Sequence, residues 1–232
     1  MMDQRELIRQ LEEVSIFEVL GEKELADLVA RSQVMTFKKD DVIIFESQEG
    51  NCVYVILEGM VKISRTNDDY KEVILAILGE KEFFGEMSVI DGATRSADAV
   101  ALSKVQVLRI DGKVFLEFVE KYPKLALALL RELVSRLRKT DGQIKSISLA
   151  DAVGKVASVI VRLANDVGRV RKGRVEIENF ASQQEIANYA ATSRETISRV
   201  LTMFERDGLI ERDMNKIIIN NFEEFKRKFG EF

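Results

Sequence analysis

The chain has 232 residues, 46% hydrophobic and 32% charged, with a formal net charge of −4, the balance of a globular protein with one large or two modest domains. No apolar run approaches the roughly 18 residues of a membrane span, and the charged, helix-patterned N-terminus MMDQRELIRQLEEV does not read as a signal peptide, so a cytoplasmic protein with no membrane partner is expected. One cysteine (Cys52) and no histidine remove disulfide frameworks, Cys/His metal clusters and Ser-His or Cys-His catalysis.

Residues 5–32 read as short helices, with Leu7, Ile8, Leu11, Val14, Leu25, Leu28 and Val29 at helical spacing. From about Val34 to Ile110, short β-branched runs (VMTF, VIIF, VYVIL, MVKIS, EVILAIL, VQVLRI) alternate with turn signals at Gly50-Asn51, Gly59, Asn67-Asp68-Asp69, Gly79 and Asp91-Gly92. Many short strands at regular spacing predict an antiparallel sandwich or barrel such as a jelly roll. Cys52, beside the strand residues Val53 to Leu57, reads as a small buried hydrophobe. Within this region FFGEMSVIDGATRSADAVA (residues 83–101) sets Glu86 and Arg95 among apolar residues. Buried charge is costly unless it is paired or meets a ligand. Two readings therefore stand side by side: an internal Glu86–Arg95 salt bridge, or a pocket for a molecule both anionic and hydroxylated. In the second, Gly85 lets the backbone approach an anion, and a short helix from Glu86 aims free N–H groups at it. Arg95 supplies a bidentate phosphate clamp, Ser96 a hydroxyl donor and Glu86 an acceptor for a sugar hydroxyl.

Residues 113–148 switch to a helical period, with Tyr122-Pro123 separating a short helix from a long one. From Ala126 the positions Ala126, Leu130, Leu133, Leu137, Thr140, Ile144 and Ile147 follow alternating steps of four and three. That is the a/d seam of a two-stranded coiled coil over about three heptads. The alternative is a core helix packed on its own domain. Gly142 inside it is a local weakness of roughly 1 kcal/mol, where the helix can change length. After Ser148 the pattern gives a helix from Asp151 to about Asp166, a basic loop (GRVRKGRVEIENF), two short helices and a hairpin near Ile210 to Ile219. From Asp151 to Phe232 the chain carries 14 Lys/Arg against 13 Asp/Glu, while the remainder carries 21 against 26. Any polyanion is thus expected to meet the C-terminal part, with Arg169, Arg171, Lys172 and Arg174 as a local basic patch.

The segment SQQEIANYAATSRETISRVLTMFERDGLIER is the sharpest in the chain. Ser182 followed by Glu185 is a capping box, Ala190-Ala191-Thr192 leaves room for a tight turn, and Ser193 is a good N-cap for the next helix. In that helix Ile197, Val200, Leu201 and Phe204 form a buried stripe, and Arg194, Glu195, Ser198, Arg199 and Thr202 share the opposite face. Two helices, a short turn and a polar outer face describe a helix-turn-helix whose second helix enters the DNA major groove. Arginine bonds guanine O6 and N7, and glutamate accepts from cytosine N4. Ser182 and Thr196, near helix N-termini, suit phosphates. The candidate DNA-contacting residues are Ser182, Gln183, Ser193, Arg194, Glu195, Thr196, Ser198 and Arg199, with IERDMNKIIIN as the wing. The alternative is a solvated helix face carrying an ordinary Glu195–Arg199 pair.

These two motifs carry a resemblance. SQQEIANYAATSRETISRVLTMFERDGLI resembles the winged helix-turn-helix of the cyclic-AMP receptor protein and fumarate-nitrate regulator family, and FFGEMSVIDGATRSADAVA resembles that family's phosphate-binding cassette. The resemblance implies an α+β architecture: a β jelly-roll effector domain with N-terminal helices (1–112), a long dimerisation helix (113–148) and a winged helix-turn-helix DNA-binding domain (149–232). It implies a homodimeric bacterial transcription regulator, bound to double-stranded DNA at a palindromic TGTGA-like operator and addressing RNA polymerase. Its ligand residues would be Gly85, Glu86, Met87, Ser88, Arg95, Ser96, Ala97, Thr140 and Asp141. Cyclic AMP is the expected effector. The alternative is a regulator of the same fold with a different effector or with none. Three positions depart from the family pattern: Ala191 stands where glycine is common in the turn, Asp141 where a serine reaches from the partner subunit, and Glu80-Lys81-Glu82 where a glycine-containing turn precedes the cassette. An iron–sulfur cluster needs about four thiolates, which Cys52 alone does not supply, and histidine-ligated haem is excluded. No constellation of residues supports an enzyme or a metal site.

Overall fold

In the computed structural model, which describes residues 3–171, 173–178, 182–213 and 216–229, the first helical pattern becomes α1 (Gln4–Glu12) and α2 (Glu22–Ala30). The strand-rich region follows as β1 (Ser32–Phe37), β2 (Val42–Ile44), β3 (Cys52–Glu58), β4 (Val61–Thr66), β5 (Glu72–Leu78), β6 (Phe83–Phe84), a short helix α3 (Glu86–Asp91), β7 (Asp98–Ala101) and β8 (Val105–Asp111). One sheet has the order β1-β8-β3-β6 and a second the order β2-β7-β4-β5. The β1–β8, β3–β8, β3–β6 and β2–β7 pairs are antiparallel, as expected of a jelly roll.

Strand β3 explains why VYVIL is continuously apolar: every residue from Cys52 to Leu57 is buried, so both faces of the strand are inside. Val53, Val55 and Leu57 share a core with Leu108 and Ile110 of β8, with Leu11 and Leu25 from the N-terminal helices and Phe17 from the turn between them, and with Phe115, Phe118, Leu125 and Leu129. Each such buried side chain contributes about 1.5–3 kcal/mol of transfer free energy. The last four belong to α4 (Gly112–Lys121) and α5 (Pro123–Leu149), and the break between these helices falls at Tyr122, ahead of the proline. Strands β6 and β7 had no counterpart in the sequence reading. A two-residue strand has no detectable period, and β6 exists because Phe84 and Phe83 pair with Tyr54 and Val55.

By contacts the chain divides into two units, Met1–Ile63 with Leu78–Leu137, and Ser64–Ile77 with Arg138–Phe232. The second contains α6 (Ala152–Asp166), β9 (Arg169–Arg171), β10 (Arg174–Ile177), α7 (Gln183–Ala190), α8 (Arg194–Arg206), β11 (Ile210–Asp213), β12 (Lys216–Ile219) and α9 (Phe222–Phe229). Asp151 caps α6, its carboxylate accepting from Gly154 N at 2.7 Å. The expected basic loop is instead the β9–β10 hairpin of a sheet ordered β11-β12-β10-β9. Its turn uses Gly173 at φ 79°, and β10 is anchored by pairing with β12, a long-range contact that local reading does not see. Helix α9 was not foreseen either. Its Phe225 meets Phe204 of α8 edge-on with ring centroids 5.4 Å apart, and its Phe229 lies tilted 5.2 Å from Phe204 and 5.0 Å from Phe225. No helix among the described residues is long and apolar enough to cross a membrane.

Candidate functional site

The segment 83–101 folds as β6, a left-handed glycine, α3, a loop and β7. Gly85 has φ 82°, a conformation that side chains resist, and a Cβ there would lie 2.8 Å from Arg95 Nη1 and 3.1 Å from the Cys52 carbonyl oxygen. Arg95 is pinned at its backbone, its N–H donating to Gln48 O at 2.8 Å and its carbonyl accepting from Ser47 N at 2.9 Å. The residue is only 6% exposed. Nη1 donates to Gly85 O at 2.5 Å and to Ser88 Oγ at 2.9 Å, and Nη2 donates to Cys52 O at 2.9 Å and Sγ at 3.4 Å. All of these acceptors are neutral, and among the described residues no carboxylate lies within ion-pair distance of this buried cation.

Glu86 is also buried, 4% exposed, but its partner is not Arg95. Arg136 of α5 donates from Nη1 to Glu86 Oε1 at 3.2 Å and from Nη2 to Phe83 O at 2.7 Å, and its guanidinium lies 4.3 Å from the Phe83 ring centroid. The internal Glu86–Arg95 salt bridge is therefore not formed. The segment keeps a carboxylate satisfied by a neighbouring helix and a guanidinium satisfied only by dipoles, the arrangement that suits an arriving anion. Ser96 and Met87 are exposed, the hydroxyl reaching Met87 Sδ at 3.6 Å, and Ala97 is buried. Thr140 and Asp141 are exposed on α5, beyond Leu137 and so in the second unit.

Two residues beside Arg95 carry more than their sequence reading. Cys52 is buried as expected, and it is also an acceptor for Arg95. Tyr54, stacked on Phe84 with centroids 5.1 Å apart, has its phenol pushed up to about 12, chiefly by burial and then by its contact with Cys52. Arg136 was missed altogether. The signal was available: Leu125, Leu129 and Leu133 face inward, and three residues on from Leu133 brings Arg136 onto that stripe. Before the cassette, Lys81 takes the φ of 71° that a glycine would adopt freely. The turn is held by Lys81 N donating to Ile56 O at 2.9 Å, by Gly79 N donating to a Glu82 carboxylate oxygen at 2.7 Å, and by a Lys81–Glu13 ion pair at 2.5 Å.

The exposed apolar stripe of α5 differs from the heptad expected. Leu130, Leu137 and Ile144 are exposed as expected, but Leu133 packs on the core, and Leu127 and Val134 are exposed instead. The stripe of Leu127, Leu130, Val134, Leu137 and Ile144 keeps the three-four spacing of a coiled-coil face, with Asp141 at the heptad position expected for Thr140. Ala126 and Ile147 are half-buried.

In the helix-turn-helix the capping box is complete. Ser182 N donates to Glu185 Oε2 at 2.7 Å, and Glu185 N donates to Ser182 Oγ at 3.3 Å. Ser193 Oγ accepts from Thr196 N at 3.1 Å to start α8. Ile197, Val200, Leu201 and Phe204 are buried, and Arg194, Glu195, Ser198, Arg199 and Thr202 are exposed. The Glu195–Arg199 pair is not made: Arg194, Glu195 and Arg199 have no ion partner among the described residues. Two arginines further along the chain are engaged. Arg206 meets Asp207 at 3.4 Å, and Arg212 ties the wing to α8 through Glu205, holding that carboxyl below its ordinary range mainly by the hydrogen bond.

Among the described residues the arginines of the expected basic patch are ion-paired. Arg169 and Arg171 lie 3.8 Å from Glu178, Arg171 lies 3.6 Å from Glu176, and Arg174 lies 3.2 Å from Glu211. Carboxylates on β10 and its neighbours compete with any phosphate for these groups; Lys172 lies outside the described residues.

The turn between the two helices is closed by Ala191 at φ 48° and ψ 51°. A left-handed alanine carries a strain of roughly 1–2 kcal/mol, partly offset by the lower unfolded-state entropy of alanine relative to glycine. Ala191→Gly is expected to stabilise the unit by about 0.5–1 kcal/mol, read as a higher thermal midpoint with DNA affinity unchanged. A lower midpoint would show that the turn is not strained.

Residues 34–122 match the family model described as the cyclic nucleotide-binding domain, and residues 154–228 match the Crp-like helix-turn-helix domain. The chain is 28% identical over 218 residues to a CRP-like cAMP-activated global transcriptional regulator of Mycobacterium tuberculosis, covering 94% of this chain and 97% of that one. It is 30% identical over 195 residues to the cyclic AMP receptor protein of Thermus thermophilus, covering 84% and 87%. Among solved structures FixK2 from Bradyrhizobium japonicum superposes with a TM-score of 0.76 at 18% identity, covering 84% of this chain and 96% of that one.

Proposed function

Since the chain belongs to the cyclic-AMP receptor protein and fumarate-nitrate regulator family, a family of DNA-binding transcription regulators and not of enzymes, we propose that it acts as a cytoplasmic homodimer whose hold on DNA is gated by a cyclic nucleotide, cyclic AMP first. The observation that carries the gating is Arg95, a buried guanidinium met only by neutral acceptors. A cyclic phosphate supplies the missing charge, and Ser88 and Ser96 can supply or accept hydrogen bonds beside it. Glu86 keeps one carboxylate oxygen, Oε2, clear of its bond to Arg136 and suits a sugar hydroxyl. Met87 and Ala97 line the same segment, and Thr140 and Asp141 are the α5 positions through which ligand would act on the long helix near Gly142.

The dimer reading rests on the unpartnered stripe of α5, whose Leu130 and Leu137 are about 60% exposed in the single chain. A two-fold dimer sets its recognition helices about one DNA turn, roughly 34 Å, apart, so a palindrome with TGTGA-like half-sites is the operator expected. There Ser182, Gln183, Ser193 and Thr196 serve phosphates, Arg194, Glu195, Ser198 and Arg199 face base edges, and RNA polymerase is the machinery addressed.

A second reading, the same regulator with a different effector or none, is favoured by the fact that Glu86 is already ion-paired and Arg95 already hydrogen-bonded within the chain. Calorimetric titration of nucleotide-stripped protein with cyclic AMP, with cyclic GMP alongside, separates the two. Micromolar binding that Arg95→Ala abolishes is expected. The same variant should lower ligand-stimulated DNA affinity and leave ligand-free affinity unchanged. No heat from either nucleotide, in protein that still binds the palindrome, would establish the second reading.

A further inference from the structure

Gly50 lies in the loop between β2 and β3, outside the segment that resembles the cassette, and its φ is not in the left-handed region. Its backbone would accept any residue, so the reason for a glycine must be sought in space. A Cβ at this position would fall 2.1 Å from Ser88 Oγ, 2.5 Å from Arg95 Nε and 2.7 Å from Arg95 Cζ. These distances are well inside van der Waals contact, and neither neighbour can simply swing clear. Ser88 and Arg95 are 4% and 6% exposed and bonded to each other, and the guanidinium is held further by Gly85 O and Cys52 O. Moving Arg95 breaks hydrogen bonds of a buried cation, and an unsatisfied buried charge is what the fold least tolerates.

We infer that Gly50 is a positioning residue for anion recognition: by presenting no side chain, it leaves the slot in which the Arg95 guanidinium lies against Ser88 and the Gly85 carbonyl. This rests on the reading of Arg95 as the phosphate clamp. Gly50 touches no ligand group itself and acts through the guanidinium, so the guanidinium's placement is the quantity it sets. Displacing a charged clamp by about an ångström is enough to weaken recognition on the order of 10- to 100-fold.

The test is a double-mutant cycle of Gly50→Ala and Arg95→Ala in the full chain, read by cyclic AMP affinity and by the thermal midpoint of the ligand-free protein. Gly50→Ala is expected to weaken cyclic AMP binding by at least roughly tenfold while the protein remains folded. It should also lower the ligand-free midpoint in the Arg95 background and lower it much less once Arg95 is alanine, because the overlap has then been removed. Should Gly50→Ala alone fail to fold, the cycle is run on Ser88→Ala, where the shortest overlap is absent. Wild-type affinity in Gly50→Ala would overturn the inference, and so would equal midpoint losses in both backgrounds, which mark a merely structural glycine. If the wild type itself gives no heat with cyclic AMP, the clamp reading falls separately. The ligand-free cycle then still decides whether Gly50 seats Arg95, strong coupling supporting it and additivity overturning it.

Discussion

Arg194→Ala combined with Arg199→Ala is expected to remove sequence-specific DNA binding almost completely. A bidentate arginine–guanine contact discriminates by about 1–3 kcal/mol, so two lost contacts cost about 2–6 kcal/mol if they are independent. That is a loss between roughly thirtyfold and more than ten-thousandfold, at about 1.4 kcal/mol per factor of ten. Both side chains are exposed on α8 and have no ion partner among the described residues, so the folded protein gives up little in losing them. The buried stripe of Ile197, Val200, Leu201 and Phe204 stays in place, and the thermal midpoint should hold, as surface changes usually stay within about 0.5 kcal/mol. Arg206→Ala is the control: that residue pairs with Asp207 at the end of the helix and should change affinity only a few-fold. Fluorescence anisotropy on a labelled palindrome and on a scrambled duplex reads both effects. Unchanged affinity in a folded double variant would remove α8 from the interface.

The second large effect is on stability. Arg136→Ala strips Glu86 of its cationic partner while leaving the carboxylate buried, its side chain 5% exposed. Removing one member of a buried ion pair typically costs about 3–5 kcal/mol. The lower end applies here, because Arg136 is 25% exposed and water can enter where its guanidinium was. The Phe83 carbonyl loses a 2.7 Å bond as well. The double variant Glu86→Gln with Arg136→Met should recover much of the loss, since a neutral pair of similar volume avoids the stranded charge. Urea denaturation compares the three proteins through their midpoints at a shared slope. A change below about 0.5 kcal/mol in Arg136→Ala would mean that Glu86 finds water or another partner as readily as it finds Arg136.

How much of this was legible in the residues depends on how local the determining contact is. The capping box at Ser182 and Glu185, the cap at Ser193 and the two faces of α8 follow from spacings of three and four, and all are found as read. The strands were legible where apolar runs were long. β6 was not, because two residues have no period and its existence depends on β3. The basic hairpin misled for a related reason: Arg169, Arg171 and Arg174 look like a cluster in sequence, but the pairing of β9 with β10, and of β10 and β11 with the two sides of β12, sets Glu176, Glu178 and Glu211 beside them. In segment 83–101 two charges set among apolar residues, Glu86 and Arg95, were legible and are buried, yet their partners were not. Arg136 lies 50 residues from Glu86 and Cys52 lies 43 from Arg95, separations that no motif spans. The shift of the α5 stripe from Leu133 to Val134 is the same lesson on a single helix, since a heptad count does not say which of two adjacent apolar residues the core has claimed.

The tied arginines of the β9–β10 hairpin also bear on how such a protein finds its target. Attraction to arbitrary duplex comes from cations that release counterions, and the logarithm of affinity falls with the logarithm of salt at about 0.9 per phosphate neutralised. A hairpin whose arginines already answer to its own carboxylates adds little to that count. We therefore expect brief residence on random sequence and short sliding tracks, with the genome a weak sink and more of the molecules free to sample specific sites by three-dimensional encounter.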